Sequence, residues 1–233
     1  MKTITIAPDR RLTQWGVRYL LFQLFVLPYF LDLLVTGLNL PIDSLKFNLL
    51  YYTINFAVLV GIFWRFLQAS LQHALENLGQ VLIPTAICFL AYRLSSTLLD
   101  LGIHWLFPDF DNVNDVNITA MAQGQLPMWG FAAILLVPPA EELIFRGALF
   151  GGLYSKNKIL AWVVSVVGFC LLHVMGYVGY YPWDVLLISA VQYLPAGICF
   201  AAAYRYSGNI FSSILIHAAL NFIALLSMIP MQL

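Results

Sequence analysis

Long apolar stretches constrain this chain more than any other feature of its sequence. A helix needs roughly 20 apolar residues to cross a hydrocarbon core about 30 Å thick, and several stretches reach that length. Because lipid offers no hydrogen-bond partners to the backbone, such stretches form helices. We predict about seven spans, at residues 15–40, 47–67, 81–106, 128–153, 159–177, 183–204 and 210–229.

Composition excludes most other classes of protein. The chain is 61% hydrophobic and only 9% charged, whereas soluble domains carry about 25% charged residues. This rules out a soluble globular domain, a disordered chain and a coiled coil. The net charge is zero and the chain has no basic cluster, so no nucleic-acid partner is expected. We therefore predict an all-α, polytopic transmembrane helix bundle in contact with the lipid bilayer.

Basic residues predict the orientation, because Lys and Arg accumulate in short cytoplasmic segments. With the spans above, one side of the membrane carries Lys2, Arg10, Arg11, Arg18, Arg65, Lys156, Lys158 and Arg205. The longest connection, residues 107–127, contains three Asp and no Lys or Arg. We predict a cytoplasmic N-terminus and a solvated outer loop or short surface helix at 107–127. The first stretch is too long for a signal peptide and lacks a small-residue cleavage site, so we expect it to remain as an anchor.

Ionisable residues inside predicted spans are expensive and therefore need an explanation. Structural pairing across helices or an interfacial position accounts for Asp32, Arg93 and Asp100, and snorkelling accounts for Arg18 and Arg65. The three cysteines lie in apolar stretches without CxxC spacing and are expected to be buried hydrophobic residues. They are Cys88, Cys170 and Cys199.

The fourth span places two adjacent carboxylates, Glu141 and Glu142, near its middle. Arg146 follows Glu142 by four residues, which is one helical turn, and should form an ion pair with it. Glu141 points about 100° away and is left without that partner, so the two acids can take different roles. Pro138 and Pro139 precede them and remove backbone donors. We expect a broken, hydrated helix there, with freed carbonyls that need polar partners.

Two later spans supply further polar groups. His173 lies in the fifth span, and His217 lies in the seventh, one helical turn before Asn221. Each histidine alone is as compatible with an interhelical hydrogen bond as with catalysis. Together with Glu141 they form a set that can activate water and stabilise an oxyanion.

These residues resemble the CPBP intramembrane proteases, also called the Abi or CAAX-protease family, which includes the type II CAAX prenyl endopeptidases. The family pattern is EExxxR, FxxxH and HxxxN or HxxxD on successive helices. Here it reads Glu141-Glu142-Leu143-Ile144-Phe145-Arg146, Phe169-xxx-His173 and His217-xxx-Asn221. The resemblance covers about residues 128–233, so we divide the chain into N-terminal helices one to three with the acidic loop (1–127) and a protease core (128–233) within one integral domain.

The resemblance implies an intramembrane endopeptidase that cleaves a membrane-associated protein or peptide. Glu141 would activate water and His173 would help to hold it. His217 and Asn221 would bind the substrate carbonyl and stabilise the oxyanion, and Glu142 and Arg146 would brace the first motif. The motifs also fit a multi-pass protein of a prokaryotic plasma membrane.

Three alternatives remain open. Glu141, His173 and His217 form a possible zinc ligand set, but without an HExxH pair we favour metal-independent chemistry with no cofactor. A transporter could use buried Glu and His as a proton relay, although it should show an inverted repeat of broken helices. A non-catalytic scaffold could keep the same fold. Neither substrate identity, prenylation, nor the side on which a cavity opens follows from the sequence.

Overall fold

The computed structural model describes residues 7–229, and these are almost entirely helical. The helices are α1 (Arg10–Phe25), α2 (Leu27–Gly37), α3 (Ser44–Glu76), α4 (Leu78–Leu106), α5 (Val113–Ala122), α6 (Leu126–Tyr154), α7 (Lys158–Met175), α8 (Trp183–Ser207) and α9 (Ile210–Met228). Among the described residues, β-type pairing is limited to one bridge between Val178 and Tyr181.

The predicted all-α polytopic bundle is confirmed. Six helices, α3, α4, α6, α7, α8 and α9, are long and apolar enough to cross a membrane, and α1 with α2 would make a seventh span. The first span, predicted at 15–40, corresponds to α1 and α2 together, which meet at an angle of 44°. Pro28 explains the bend, since it lacks the N–H that would continue the helix.

Helix α3 continues nine residues beyond the span predicted at 47–67. Its 33 residues correspond to about 50 Å at 1.5 Å per residue, which exceeds the apolar core. The side chain of Asp43 caps its start by accepting from the backbone N–H of Lys46 at 2.8 Å. This hydrogen bond, together with the charged Lys46 side chain, lowers the pKa of Asp43 below its usual range.

One end of the bundle gathers the segments that were predicted to be cytoplasmic. Asn209, between α8 and α9, donates to the carbonyl of Ser70 near the end of α3 at 2.7 Å. Arg205 at the end of α8 donates through Nε to the hydroxyl of Tyr154 at the end of α6. These contacts place the ends of α3, α6 and α8 together, and Lys2 lies outside the described residues. The cytoplasmic assignment of this end remains a prediction.

The opposite end is covered by α5, the short helix within the acidic connection. Asn112 caps α5 and also donates from Nδ2 to Gln192 Oε1 of α8 at 2.8 Å. Gln192 in turn donates to Asp100 Oδ1 at 3.0 Å, so Asp100 pairs across helices as expected. Asp32 and Arg93 lie on the exposed surface of the bundle. The three cysteines are buried and free, as predicted.

The main hydrophobic core draws on both halves of the chain. It includes Tyr19, Leu59 and Phe63 from the first half and Phe145 and Phe169 from the second. The division of the sequence at residue 127 remains a prediction.

Close packing of α1 on α6 depends on Gly16. A Cβ at this position would lie 2.5 Å from Ala148 Cβ and 3.0 Å from Phe63 Cζ. We therefore expect Gly16→Ala to lower the free energy of unfolding by about 1–3 kcal/mol through overpacking, measured as thermal unfolding in detergent micelles. Gly61→Ala in α3 is the control, because an added Cβ meets nothing within 4 Å there. Equal stability of the two variants would contradict the α1–α6 packing.

Candidate active site

The hydrogen-bond register of α6 changes around the glutamate pair. Residues Ala132–Leu136 and Leu143–Gly151 are π-helical, whereas Val137–Glu142 between them is α-helical. The predicted break at Pro138 and Pro139 was therefore wrong, since the helix continues with a widened register. In a π segment each N–H bonds to the carbonyl five residues earlier, and Val137 N–H reaches the carbonyl of Ala132 in this way.

The wider register leaves the carbonyl of Ala133 without a backbone partner. In an α-helix its donor would be Val137, which instead bonds to Ala132, and in a π-helix it would be Pro138, which has no N–H. Asn221 Nδ2 donates to this carbonyl at 2.7 Å. The third motif is thus held against the first by a carbonyl that the prolines freed, as the sequence predicted for such carbonyls.

Glu142 and Arg146 form the predicted ion pair, and both side chains are fully buried. Arg146 donates from Nη1 to Glu142 Oε1 at 3.0 Å and from Nη2 to the carbonyl of Gly197 in α8 at 3.1 Å. The guanidinium also lies over the ring of Phe169 at 4.3 Å. This pair therefore connects α6 with α7 and α8.

His217 joins the same carboxylate. Its Nδ1 lies 3.0 Å from Glu142 Oε1, and its ring stacks on Phe200 with centroids 5.0 Å apart. An ionised carboxylate only accepts hydrogen bonds, so Nδ1 carries a proton and Nε2 is the nitrogen left for other partners.

Glu141 faces away from this cluster, into a cavity of about 1250 Å³. The walls of this cavity also include His173, His217 and Asn221. Glu141 Oε2 is buried and has no hydrogen-bond partner among the described residues. The four residues predicted from three separate spans thus surround one space.

His173 is oriented from two sides. Its Nδ1 lies 2.9 Å from the carbonyl of Phe169, so Nδ1 carries the proton and Nε2 is an acceptor. The ring stacks on Tyr193, with centroids 4.0 Å apart and planes 26° from parallel.

Tyr193 was not predicted from the sequence, because it carries neither a charge nor an amide. It lies at the interruption of α8, before Pro195, and its hydroxyl donates to Asp115 Oδ1 at 2.9 Å. Asn114 Nδ2 donates to the same hydroxyl at 2.8 Å. Through Tyr193, helix α5 is linked to His173. The only sequence signal was Pro195, which predicts an interrupted helix.

The aromatic and amide residues that α3 contributes to the cavity were also missed. They are Tyr51, Tyr52 and Asn55.

The residues present do not fit the possible zinc site. Within residues 7–229, no three His, Cys, Asp or Glu side chains are grouped so that they could hold one metal ion. This includes Glu141, His173 and His217.

Removal of Arg146 should test the buried cluster. We expect Arg146→Met to lower the free energy of unfolding by about 3–5 kcal/mol, because Glu142 would keep a buried charge without its main partner. Arg93→Met is the control, since Arg93 is exposed and surface changes cost about 0.5 kcal/mol or less. Thermal unfolding in micelles measures both, and a stability of Arg146→Met equal to that of the control would contradict the cluster.

The part of the chain that carries the three motifs is similar to known proteins. Residues 123–223 match the family described as "Type II CAAX prenyl endopeptidase Rce1-like". The chain is similar to the "UPF0177 protein in abiGi 5'region" of Lactococcus lactis subsp. cremoris, with 29% identity over 148 residues, 63% of this chain and 56% of that protein. It is also similar to the UPF0177 protein YxdF of Lactococcus lactis subsp. lactis (strain IL1403), with 32% identity over 100 residues, 42% of this chain and 50% of that protein.

The chain thus spans about half the length of the curated relatives that it matches. No solved structure matches it significantly. The matched region contains all three motifs around the cavity. Residues 123–223 are therefore similar to the family of type II CAAX prenyl endopeptidases, the group that the three motifs resemble.

Proposed function

We propose that this integral membrane protein is an intramembrane endopeptidase that hydrolyses a peptide bond of a membrane-associated protein or peptide. The observation that carries the proposal is the unpartnered Oε2 of Glu141, which faces the same cavity as His173, His217 and Asn221. A buried carboxylate with a free oxygen, next to imidazole and amide groups, is suited to activate water. The family match supports the same reaction class.

In this mechanism Glu141 accepts a proton from a water molecule whose second hydrogen bonds to His173 Nε2. The water oxygen forms a bond to the carbonyl carbon of the peptide, and the carbonyl oxygen becomes an oxyanion. Glu141 then returns the proton to the leaving nitrogen as the C–N bond breaks. The reaction therefore consumes one water and leaves the enzyme in its initial protonation state.

Asn221 and His217 would stabilise the oxyanion. Asn221 uses one amide hydrogen for the carbonyl of Ala133, which leaves the second for the substrate. A doubly protonated His217 would donate from Nε2 while Nδ1 remains bonded to Glu142. Its positive charge would make the number of cations, Arg146 and His217, equal to the number of carboxylates, Glu141 and Glu142. Loss of one such donor typically lowers turnover by about 10²–10³-fold.

The cavity would receive substrate at the end of the bundle that α5 covers. Asn114 of α5 and Gly176 after α7 lie on its wall, and both belong to the end opposite the basic connections. Phe25 and Pro28 at the bend between α1 and α2 line another side. With a cytoplasmic N-terminus in a prokaryotic plasma membrane, this end is the outer face.

Glu141→Gln tests the proposed base. Gln is nearly isosteric but cannot accept the proton, so we expect cleavage of a quenched peptide library in micelles or liposomes to fall by at least about 10³-fold. Thermal stability should change little, because Glu141 lies outside the ion-pair cluster. Glu76→Gln, at the exposed end of α3, is the matched control and should retain full activity. Wild-type rates from purified Glu141→Gln protein would refute the assignment.

Chelation tests the metal-independent form of the proposal. We expect the rate of cleavage to be unchanged after dialysis against EDTA or 1,10-phenanthroline, since the described residues offer no ligand set of three. Loss of activity that stoichiometric Zn²⁺ restores would show that a metal participates.

A further inference from the structure

We infer that Tyr193 is a positioning residue for the proposed hydrolysis, because its ring keeps the imidazole of His173 in the orientation that holds the attacking water. The inference rests on the proposed function and adds a residue to the same site. In this mechanism Tyr193 neither gives nor takes a proton, and it acts only through His173.

One hydrogen bond alone does not fix the orientation of the His173 ring. Nδ1 donates to the carbonyl of Phe169, one turn earlier on α7, at 2.9 Å. This bond fixes the position of Nδ1, but the ring can still turn about the line from Nδ1 to the carbonyl oxygen. Such a turn would move Nε2, which accepts from water in the proposed mechanism. The ring therefore needs a second contact that defines its plane.

The ring of Tyr193 supplies this contact. It stacks on the imidazole of His173 with centroids 4.0 Å apart and planes 26° from parallel. The ring of Phe169 also contacts the imidazole, at a centroid distance of 4.6 Å, but its plane is tilted by 56°. A nearly parallel ring opposes rotation of the imidazole, because a turn would lose the stacked contact and bring the two rings into collision.

The hydroxyl of Tyr193 holds its own ring in place through α5. It donates to Asp115 Oδ1 at 2.9 Å and accepts from Asn114 Nδ2 at 2.8 Å. Asn114 Oδ1 accepts in turn from the hydroxyl of Tyr177 at 3.2 Å, two residues after the end of α7. The chain of contacts that begins at His173 thus returns to the helix that carries His173.

Substitution of Tyr193 by Leu or Phe separates the ring from the hydroxyl. Tyr193→Leu removes both, so we expect kcat for a quenched peptide that the wild type cleaves to fall by about 10²-fold, the order expected when a reacting group is misplaced by about 1 Å. KM should change little, since the loss concerns the orientation of water. Tyr193→Phe keeps the stacked ring and should lose about 10-fold or less, the effect of one hydrogen-bonding group.

Tyr181 offers matched control variants. Its hydroxyl accepts from Asn117 of α5 at 3.2 Å, and Tyr181 does not line the cavity. Tyr181→Leu and Tyr181→Phe therefore weaken the attachment of α5 without removing a contact of His173, and both should keep a kcat close to that of the wild type. Thermal unfolding in micelles shows whether each variant folds. If Tyr193→Leu protein does not fold, Tyr193→Met removes the ring with a more adaptable side chain.

A double-mutant cycle with His173→Ala distinguishes positioning of His173 from general support of α5. Without an imidazole to orient, Tyr193→Leu should change kcat by less than about threefold, because the two residues act as one unit. A merely structural role of Tyr193 would give the same 10²-fold loss with and without His173. If His173→Ala protein cleaves no faster than Glu141→Gln protein, the contrast between Tyr193→Leu and Tyr193→Phe decides.

The outcomes separate the inference from the proposed function. Equal kcat values of Tyr193→Leu and Tyr193→Phe protein, an equal loss in Tyr181→Leu protein, or an undiminished effect of Tyr193→Leu without His173 would overturn the inference. Cleavage by the wild type above the level of Glu141→Gln protein would then leave the protease assignment standing. If the wild type cleaves no faster than Glu141→Gln protein, the proposed function fails and the inference fails with it.

Discussion

The structure depends on one buried carboxylate. Glu142 is completely removed from solvent and accepts hydrogen bonds from Arg146 on its own helix and from His217 on α9. Such a charge is tolerated in an apolar bundle only when its partners are fixed in place. Arg146 is fixed in turn by the carbonyl of Gly197 and the ring of Phe169. These contacts hold α6, α7, α8 and α9 in one arrangement, because breaking them would leave a buried charge without its partners.

That arrangement directs the neighbouring acid into the cavity. Since Glu141 and Glu142 are consecutive on a helix, fixing Glu142 toward the cluster turns Glu141 about 100° away. The π segment Ala132–Leu136 adds a second constraint, because together with Pro138 it frees the carbonyl of Ala133 that accepts from Asn221. Helices α6 and α9 are thus connected twice, once through a charge and once through a backbone carbonyl. The spacing of Glu142 and Arg146 in the sequence and the direction of Glu141 in the bundle both follow from the geometry of one helix.

The spans and the candidate site residues could be predicted from the sequence, because charged residues inside apolar stretches are rare and easily recognised. The Glu142–Arg146 pair followed from helical spacing alone. The π segments before and after Pro138 and Pro139 could not be predicted, since the sequence shows where backbone donors are lost but not whether a helix breaks or widens. Tyr193 was missed because an uncharged aromatic residue in a span has no distinctive signal until its neighbours are known. The hydrogen bond between His217 and Glu142 also could not be predicted, because it depends on packing between helices that are distant in the sequence.

Water access to nearby positions of α6 is the most direct test of a hydrated cavity at Glu141. In a background without Cys88, Cys170 and Cys199, Glu141→Cys and Leu143→Cys variants would be exposed to a membrane-impermeant thiol reagent on both faces of opened native membranes. Glu141 lines the cavity, whereas Leu143 is fully buried. We predict rapid labelling of the Glu141→Cys variant and protection of the Leu143→Cys variant. Protection of the Glu141→Cys variant from both faces would contradict a hydrated cavity at this position.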